Sequence, residues 1–270
     1  MGSRQRVRGY DFLRGISVVS MVAFHACYDI VNIWDVRLGW FRGPVQDVWR
    51  ASISWCFLLI AGIMCSYSRN NLKRALKYLF VATAIWIATT LIAVDTPISY
   101  GIIYCMGFSS LLVWALEILF HDNRDARTTE LDDRVSRAKN NAKSKRLAIV
   151  AATLFIAFLL TLDVPQGRLG LGIFRGPYIA LPSGLYTTEA LNWLGFPGPS
   201  FVSGDYYPPI PYSFLFLVGS TLGLITKLHG VPSILNKLKC TPLEWIGRHA
   251  LEIYVVHQPI VLALLTLIFR

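Results

Sequence analysis

Charge is scarce in this sequence: 16% of its 270 residues are Asp, Glu, Lys or Arg, where a soluble domain carries about 25%. With 54% hydrophobic residues and a mean hydropathy of +0.48, that deficit excludes an ordinary water-soluble globule and makes lipid the expected solvent. Cysteine is sparse as well. Cys27, Cys56, Cys65, Cys105 and Cys240 show no CxxC spacing, and four of them fall in apolar runs, so they read as packing residues and not as a disulfide or zinc set. No metal is expected. No internal repeat is visible, so nothing points to an inverted-repeat transporter. No cleaved leader is expected either, because the first apolar run follows an Arg-rich tail and is long enough to span a bilayer. The net charge of +10 comes without any nucleic-acid-binding motif, and its Lys and Arg residues gather between apolar runs, which excludes nucleic acid as a partner and favours membrane topology as their explanation.

What is present is a series of apolar runs of spanning length, about 20 residues for a 30 Å hydrocarbon core. Seven are predicted, at 10–33, 47–68, 74–94, 97–120, 146–162, 209–227 and 243–269. The fold class is therefore all-α, a polytopic transmembrane helix bundle forming one domain over 1–270. Pro97 suits the first position of the fourth helix, after a tight Asp95-Thr96-Pro97 turn. A cytosolic N-terminus puts 20 of the 26 Lys and Arg residues inside, leaving Arg37, Arg42, Arg50, Arg168, Arg175 and Arg270 outside. That asymmetry predicts an N-in, C-out chain. Residues 121–146 read as a charged cytosolic linker, either a surface helix or disordered. The extracytoplasmic loop 163–208, rich in Gly, Pro and aromatics, is long enough to be functional and to cap an external cavity. Thr241-Pro242-Leu243-Glu244 forms a capping-box pattern at the start of the last helix, with proline at the first helical position.

Two sets of polar residues lie at membrane depth. The first helix carries Arg14 and, eleven residues on, His25. At roughly 100° and 1.5 Å per residue they share one face, about 16 Å apart. Arg14 would stand at the cytosolic surface, able to meet a phosphate, with the imidazole deep in the bilayer. Asp29, four residues beyond His25, can accept a hydrogen bond from one ring nitrogen and leave the other as a proton acceptor, which is what a general base needs. His25 could equally act as a nucleophile and carry a transferred group for a moment. The bland alternative, a helix-packing histidine, is the weaker one because ionisable groups at this depth are costly.

The last helix supplies Tyr254 and His257, one turn apart near mid-membrane, either lining the same pocket or joining helices. Pro259 cannot donate to the carbonyl of Val255 and should kink the helix. Arg69, Lys73 and Arg74, beside Lys77, form a basic cluster that can hold donor phosphates, although anionic lipid headgroups are the commoner use. Asp205 in the external loop would contact an acceptor sugar or simply form a turn.

The YDFLRG start with its Arg14-x10-His25 element, the phrase FLLIAGI at 57–63, the run Asp205-Tyr206-Tyr207-Pro208-Pro209-Ile210-Pro211 and the closing IGRHALEIYVVHQPI resemble, in that order, the heparan-α-glucosaminide N-acetyltransferase-like membrane family. The first and last elements are also similar to the membrane acyltransferase-3 family of surface-polysaccharide acetylases. The resemblance implies an integral membrane acetyltransferase that takes acetyl-CoA from the cytosol and acylates a carbohydrate across the membrane. By that resemblance Arg14 would serve the donor and His25 the transfer; the residues' own chemistry adds Arg69, Lys73 and Arg74 as candidates for the donor, Asp29 for orienting His25, and His257, Tyr254 and Asp205 for the acceptor. The chain is much shorter than the lysosomal member, which points to a bacterial cell-envelope glycan or amino sugar and to the bacterial inner membrane. Self-association is left open. The rival reading is a small proton- or solute-coupled transporter relaying through His25, Asp29 and His257.

Overall fold

The structure, a computed structural model, describes residues 7–92, 96–119 and 133–269. The described chain is built on α1 (Arg8–Asn32), α2 (Pro44–Ser66), α3 (Asn71–Ile92), α4 (Ile102–Leu119), α5 (Asp133–Thr161), α6 (Pro209–His229), the short α7 (Ser233–Lys237) and α8 (Thr241–Arg248), and α9 (Ala250–Ile268). Strand is confined, among the described residues, to one hairpin in which β1 (Arg168–Gly170) pairs antiparallel with β2 (Tyr178–Ala180). Seven helices are long and apolar enough to cross a membrane: α1 to α4, the Lys139–Gln166 stretch that contains most of α5, α6 and α9. The all-α, seven-span reading therefore holds.

Helix ends differ from the sequence pattern where tertiary contacts outweigh it. The fourth helix starts at Ile102 and not at Pro97, because Tyr100 takes a left-handed backbone (φ 57°) and the Asp205 carboxylate accepts from the N–H of Ile102 at 3.1 Å, capping α4 from a distant segment. The fifth helix begins at Asp133, so the part of the expected 121–146 linker from 133 onward is helical and continuous with the span. Lys, Arg and Ala there are good helix formers despite their polarity. Residues 121–132 of that linker lie outside the described residues. The predicted 243–269 helix is two helices, broken at His249 (φ −101°, ψ 25°), whose N–H is shared between the carbonyls of Trp245 and Ile246. The capping box is also shifted by one. Cys240 is the N-cap of α8, Glu244 Oε1 reaches back to its N–H at 3.2 Å, and Pro242 stands second in the helix.

The described chain divides into two compact units, 1–60 with 231–270, and 61–230. In the first, α1 lies backbone-to-backbone on the C-terminal arm. A Cβ on Gly9 would overlap the carbonyl of Leu235, on Gly15 that of Leu243, and on Gly247 that of Asp11. Arg8 Nε donates to Glu244 Oε2 at 2.6 Å at the same end, and Arg14 to the Gly247 carbonyl at 3.1 Å. Phe24, Phe41 and Trp49 pack around the other end of α1, and Trp49 Nε1 donates to Ser20 Oγ.

In the second unit, Gly62 and Gly223 bring the end of α2 against α6 in the same manner, and Ser109 of α4 bonds Ser213 of α6 at 2.8 Å. The 163–208 segment is ordered. Gly204 N–H bonds the Pro97 carbonyl, Tyr207 N–H that of Tyr100, and the Tyr206 hydroxyl that of Asn192.

Two consequences are measurable. Gly247→Val should lower the thermal midpoint of the detergent-solubilised protein by roughly 5–10 °C, since a branched side chain must separate two touching backbones. Gly39→Ala, where an added Cβ meets nothing within 4 Å, should leave it unchanged. Hydrogen bonding to Arg8 holds the Glu244 carboxyl below the usual carboxylate range. Because the native value is the lowered one, this contribution is intact above the ordinary carboxylate range and is lost as pH falls through the native value. Glu244→Gln should therefore destabilise the protein at pH 7 and make its acid limb shallower in a melting series from pH 7 to 3.

Candidate active site

The site is assembled in the first unit from α1 and α9. Because α1 is unbroken from Arg8 to Asn32, Arg14 and His25 are three turns apart on one face. Both turn toward the C-terminal arm. Arg14 bonds the Gly247 carbonyl of α8, near a helix end where carbonyls lack their usual donor, and its guanidinium lies 3.6 Å from Asp11. His25 meets His257 of α9, ring centroids 4.9 Å apart, and stands edge-on to Phe24 at 5.9 Å. The stripe expected from the sequence is thus present and faces a single partner surface. An open groove of about 360 Å³ runs beside it over residues 18–26, lined by Val18, Val22, Ala26, Ile246 and Ile253 among others. Its lining is wholly apolar, so it offers a dry flank and no hydrogen bonds.

The tautomer of His257 follows from its neighbours. Nδ1 lies 2.6 Å from the Tyr254 carbonyl, which can only accept, so Nδ1 carries the hydrogen and Nε2 is left with a lone pair. That Nε2 is buried and has no hydrogen-bond partner among the described residues. Tyr254 also sets its ring 5.6 Å from that of His257. Tyr254 therefore fixes the imidazole through its backbone and flanks it with its side chain.

Asp29 is 1% exposed. Its carboxylate, expected to orient His25 along α1, is engaged across the helix pair, where Gln258 Nε2 lies 3.0 Å from each carboxylate oxygen. No hydrogen bond joins Asp29 to His25 among the described residues. The reason is reach: an Asp side chain is short, and the α9 amide enters the space between the helices at the level of Asp29. Gln258 is not among the residues expected from the sequence, because its amide does not ionise. The available signal was a polar amide next to His257 at membrane depth, inside the HQP phrase.

The remaining predicted residues lie in the second unit. Arg69 and Lys73 are exposed in and after the α2–α3 turn, and Lys73 N–H caps onto Asn70 Oδ1 at 2.8 Å. Arg74 turns inward, donating to the Ala61 carbonyl at 3.2 Å and lying 5.4 Å from the Tyr78 ring centre, so the three basic residues do not share one environment. Asp205 caps α4 as described. Among the described residues no cluster of three or more His, Cys, Asp or Glu side chains could hold a metal ion.

Comparison with known families bears on what this geometry serves. A family model described as the catalytic domain of heparan-alpha-glucosaminide N-acetyltransferase matches residues 6–122 and 146–259, a range that takes in every residue of the α1–α9 site. No curated protein and no solved structure matches the chain significantly. With the match covering most of the sequence and both helices that carry the paired imidazoles, the chain belongs to the heparan-alpha-glucosaminide N-acetyltransferase catalytic family.

Proposed function

We propose that this protein transfers an acetyl group from cytosolic acetyl-CoA to an extracytoplasmic glycan or amino sugar, with His25 as general base or transient acyl carrier. The observation that carries the proposal is the pairing of His25 with His257 at 4.9 Å inside the unit that holds Arg14, in a chain of an acetyltransferase family. The ring nitrogens of His25 are hydrogen-bonded to none of the described residues, which leaves them available to a substrate. As base, His25 takes the proton of an attacking amine or hydroxyl, the nucleophile closes on the thioester carbonyl, the C–S bond breaks, and the imidazolium returns the proton to the departing thiolate. Such proton transfer contributes typically 10²–10⁴-fold. His257, its Nε2 an acceptor, lines the acceptor side with Tyr254.

Arg14 sits about 16 Å along α1 from His25, a span that suits the reach from a diphosphate to a thioester. Arg74, and less directly Arg69 and Lys73, add positive charge for a nucleotide-bearing donor. Asp205, which caps α4, is proposed as a contact for the acceptor. The basic-residue asymmetry supports a cytosolic N-terminus. The setting proposed with it is a bacterial inner membrane, with a cell-envelope glycan as acceptor.

Two experiments test the proposal. In membranes supplied with radiolabelled acetyl-CoA, His25→Ala should lower kcat for transfer by about 100-fold or more while acetyl-CoA still binds; a folded variant with full activity would remove His25 from the chemistry. Alkaline phosphatase fused after Gly184 should be active and fused after Gly230 inactive in a bacterial host. The opposite pattern would invert the orientation and place the donor on the wrong side.

A further inference from the structure

Gln258 belongs to neither the basic cluster nor the imidazole pair, yet it is the residue that Asp29 holds. A carboxylate only accepts, so the Gln258 amide must turn its NH₂ toward Asp29, as the 3.0 Å contacts to both oxygens show. That fixes the flip of the amide and leaves Oε1 pointing elsewhere. Gln258 Oε1 is buried and has no hydrogen-bond partner among the described residues. The adjacent His257 Nε2 is in the same condition for the same kind of reason: its Nδ1–H is already given to the Tyr254 carbonyl. His257 is 7% exposed and Asp29 1%.

Buried polar atoms without partners are rare in folded proteins and call for an explanation. Here two occur on consecutive residues. The two side chains lie against the 25–29 stretch of α1, the His257 ring beside that of His25 and the Gln258 NH₂ on Asp29. Both are acceptors, and in each case the protein has used the donor hydrogen to lock the group in place. Such a pair offers nothing to a carbonyl or phosphate oxygen and is complementary to a group that brings hydrogens of its own.

Resting on the acetyl-transfer reading for its context, we infer that Gln258 Oε1 and His257 Nε2 together form the subsite that seats the nucleophilic group of the acceptor. Gln258 is a binding residue and Asp29 a positioning residue that acts through it. The subsite offers two acceptors, so it can take both hydrogens of an amine and disfavours the acylated group, which keeps one N–H as an amide and none as an ester. Product release follows from the same loss.

The test is equilibrium binding of radiolabelled methyl β-glucosaminide to the purified full chain in detergent, without acetyl-CoA. Gln258→Met keeps the length of the side chain and removes the acceptor; affinity should fall at least tenfold. In Asp29→Asn the carboxamide can present either end to Gln258, the lock is lost, and affinity should fall about threefold. The double variant Asp29→Asn/Gln258→Met avoids an unpaired buried carboxylate if the single Gln258 variant fails to fold, and it should bind no more weakly than Gln258→Met alone. Val256→Ala, on an exposed side of α9, should bind as wild type. Methyl N-acetyl-β-glucosaminide should compete at least tenfold more weakly than the amine.

Wild-type protein that binds neither sugar, or a folded Gln258→Met that binds the amine unchanged, overturns the subsite. So does a double variant whose loss equals the product of the single losses. Protein that binds the amine through Gln258 but transfers no acetyl group sinks the acetyl-transfer reading and leaves the subsite standing. Transfer that proceeds with Gln258→Met at unchanged acceptor KM does the reverse.

Discussion

The close contact of α1 with the C-terminal arm is the constraint from which the rest of the site follows. Gly15 and Gly247 let two backbones touch, with Gly9 extending the contact toward Leu235. At that separation the register between α1 and the arm is fixed by carbonyls and not by adaptable side chains. Arg8–Glu244 and Arg14–Gly247 then pin the same end with polar bonds. The break at His249 redirects the chain into α9, and the outcome is that 254–258 meets 25–29. A bulkier residue at either glycine would push the two backbones apart, and small residues are characteristic of helix contacts that must be close in lipid.

Polar groups inside a membrane are retained at a cost, so their arrangement is informative. Asp29, the Tyr254 carbonyl and the Gly247 carbonyl each receive a donor from Gln258, His257 and Arg14 respectively. Every one of these bonds orients a side chain as well as satisfying an atom. The imidazole of His257 and the amide of Gln258 are held in single states, while His25 keeps both ring nitrogens free of hydrogen bonds to the described residues. Rigid acceptors beside an uncommitted imidazole form a preorganised site for a proton-bearing nucleophile, and preorganisation of this kind is what enzymes use to lower reaction barriers.

Much of this was legible in the sequence. Seven spans followed from run length alone, and the 3.6-residue period placed Arg14 and His25 on one face. His257 was legible as a costly group near mid-membrane. Other features were not, and for physical reasons. The i+4 spacing of His25 and Asp29 says that their Cα–Cβ bonds share a face, but not that the α9 amide would reach the carboxylate. Arg74 reads like Arg69 and Lys73 as a charge, yet it turns inward to the Ala61 carbonyl, thirteen residues back in the chain. Asp205 looked like a turn or a sugar ligand; its carboxylate caps α4, a contact spanning about a hundred residues that no local pattern could reveal. For 133–146 the composition leaves helix and disorder both open, and the structure takes the helical one, in line with the helix propensity of its Lys, Arg and Ala residues.

The measurement that bears most directly on the central claim is an experimental map of the detergent-solubilised protein incubated with a non-hydrolysable acetyl-CoA analogue. The account predicts density that starts with the nucleotide phosphates near Arg14 and ends with the acyl carbon beside the paired rings of His25 and His257, with α1 and α9 in register. Analogue density whose acyl end lies away from both imidazoles, or rings separated and turned to lipid, would contradict it.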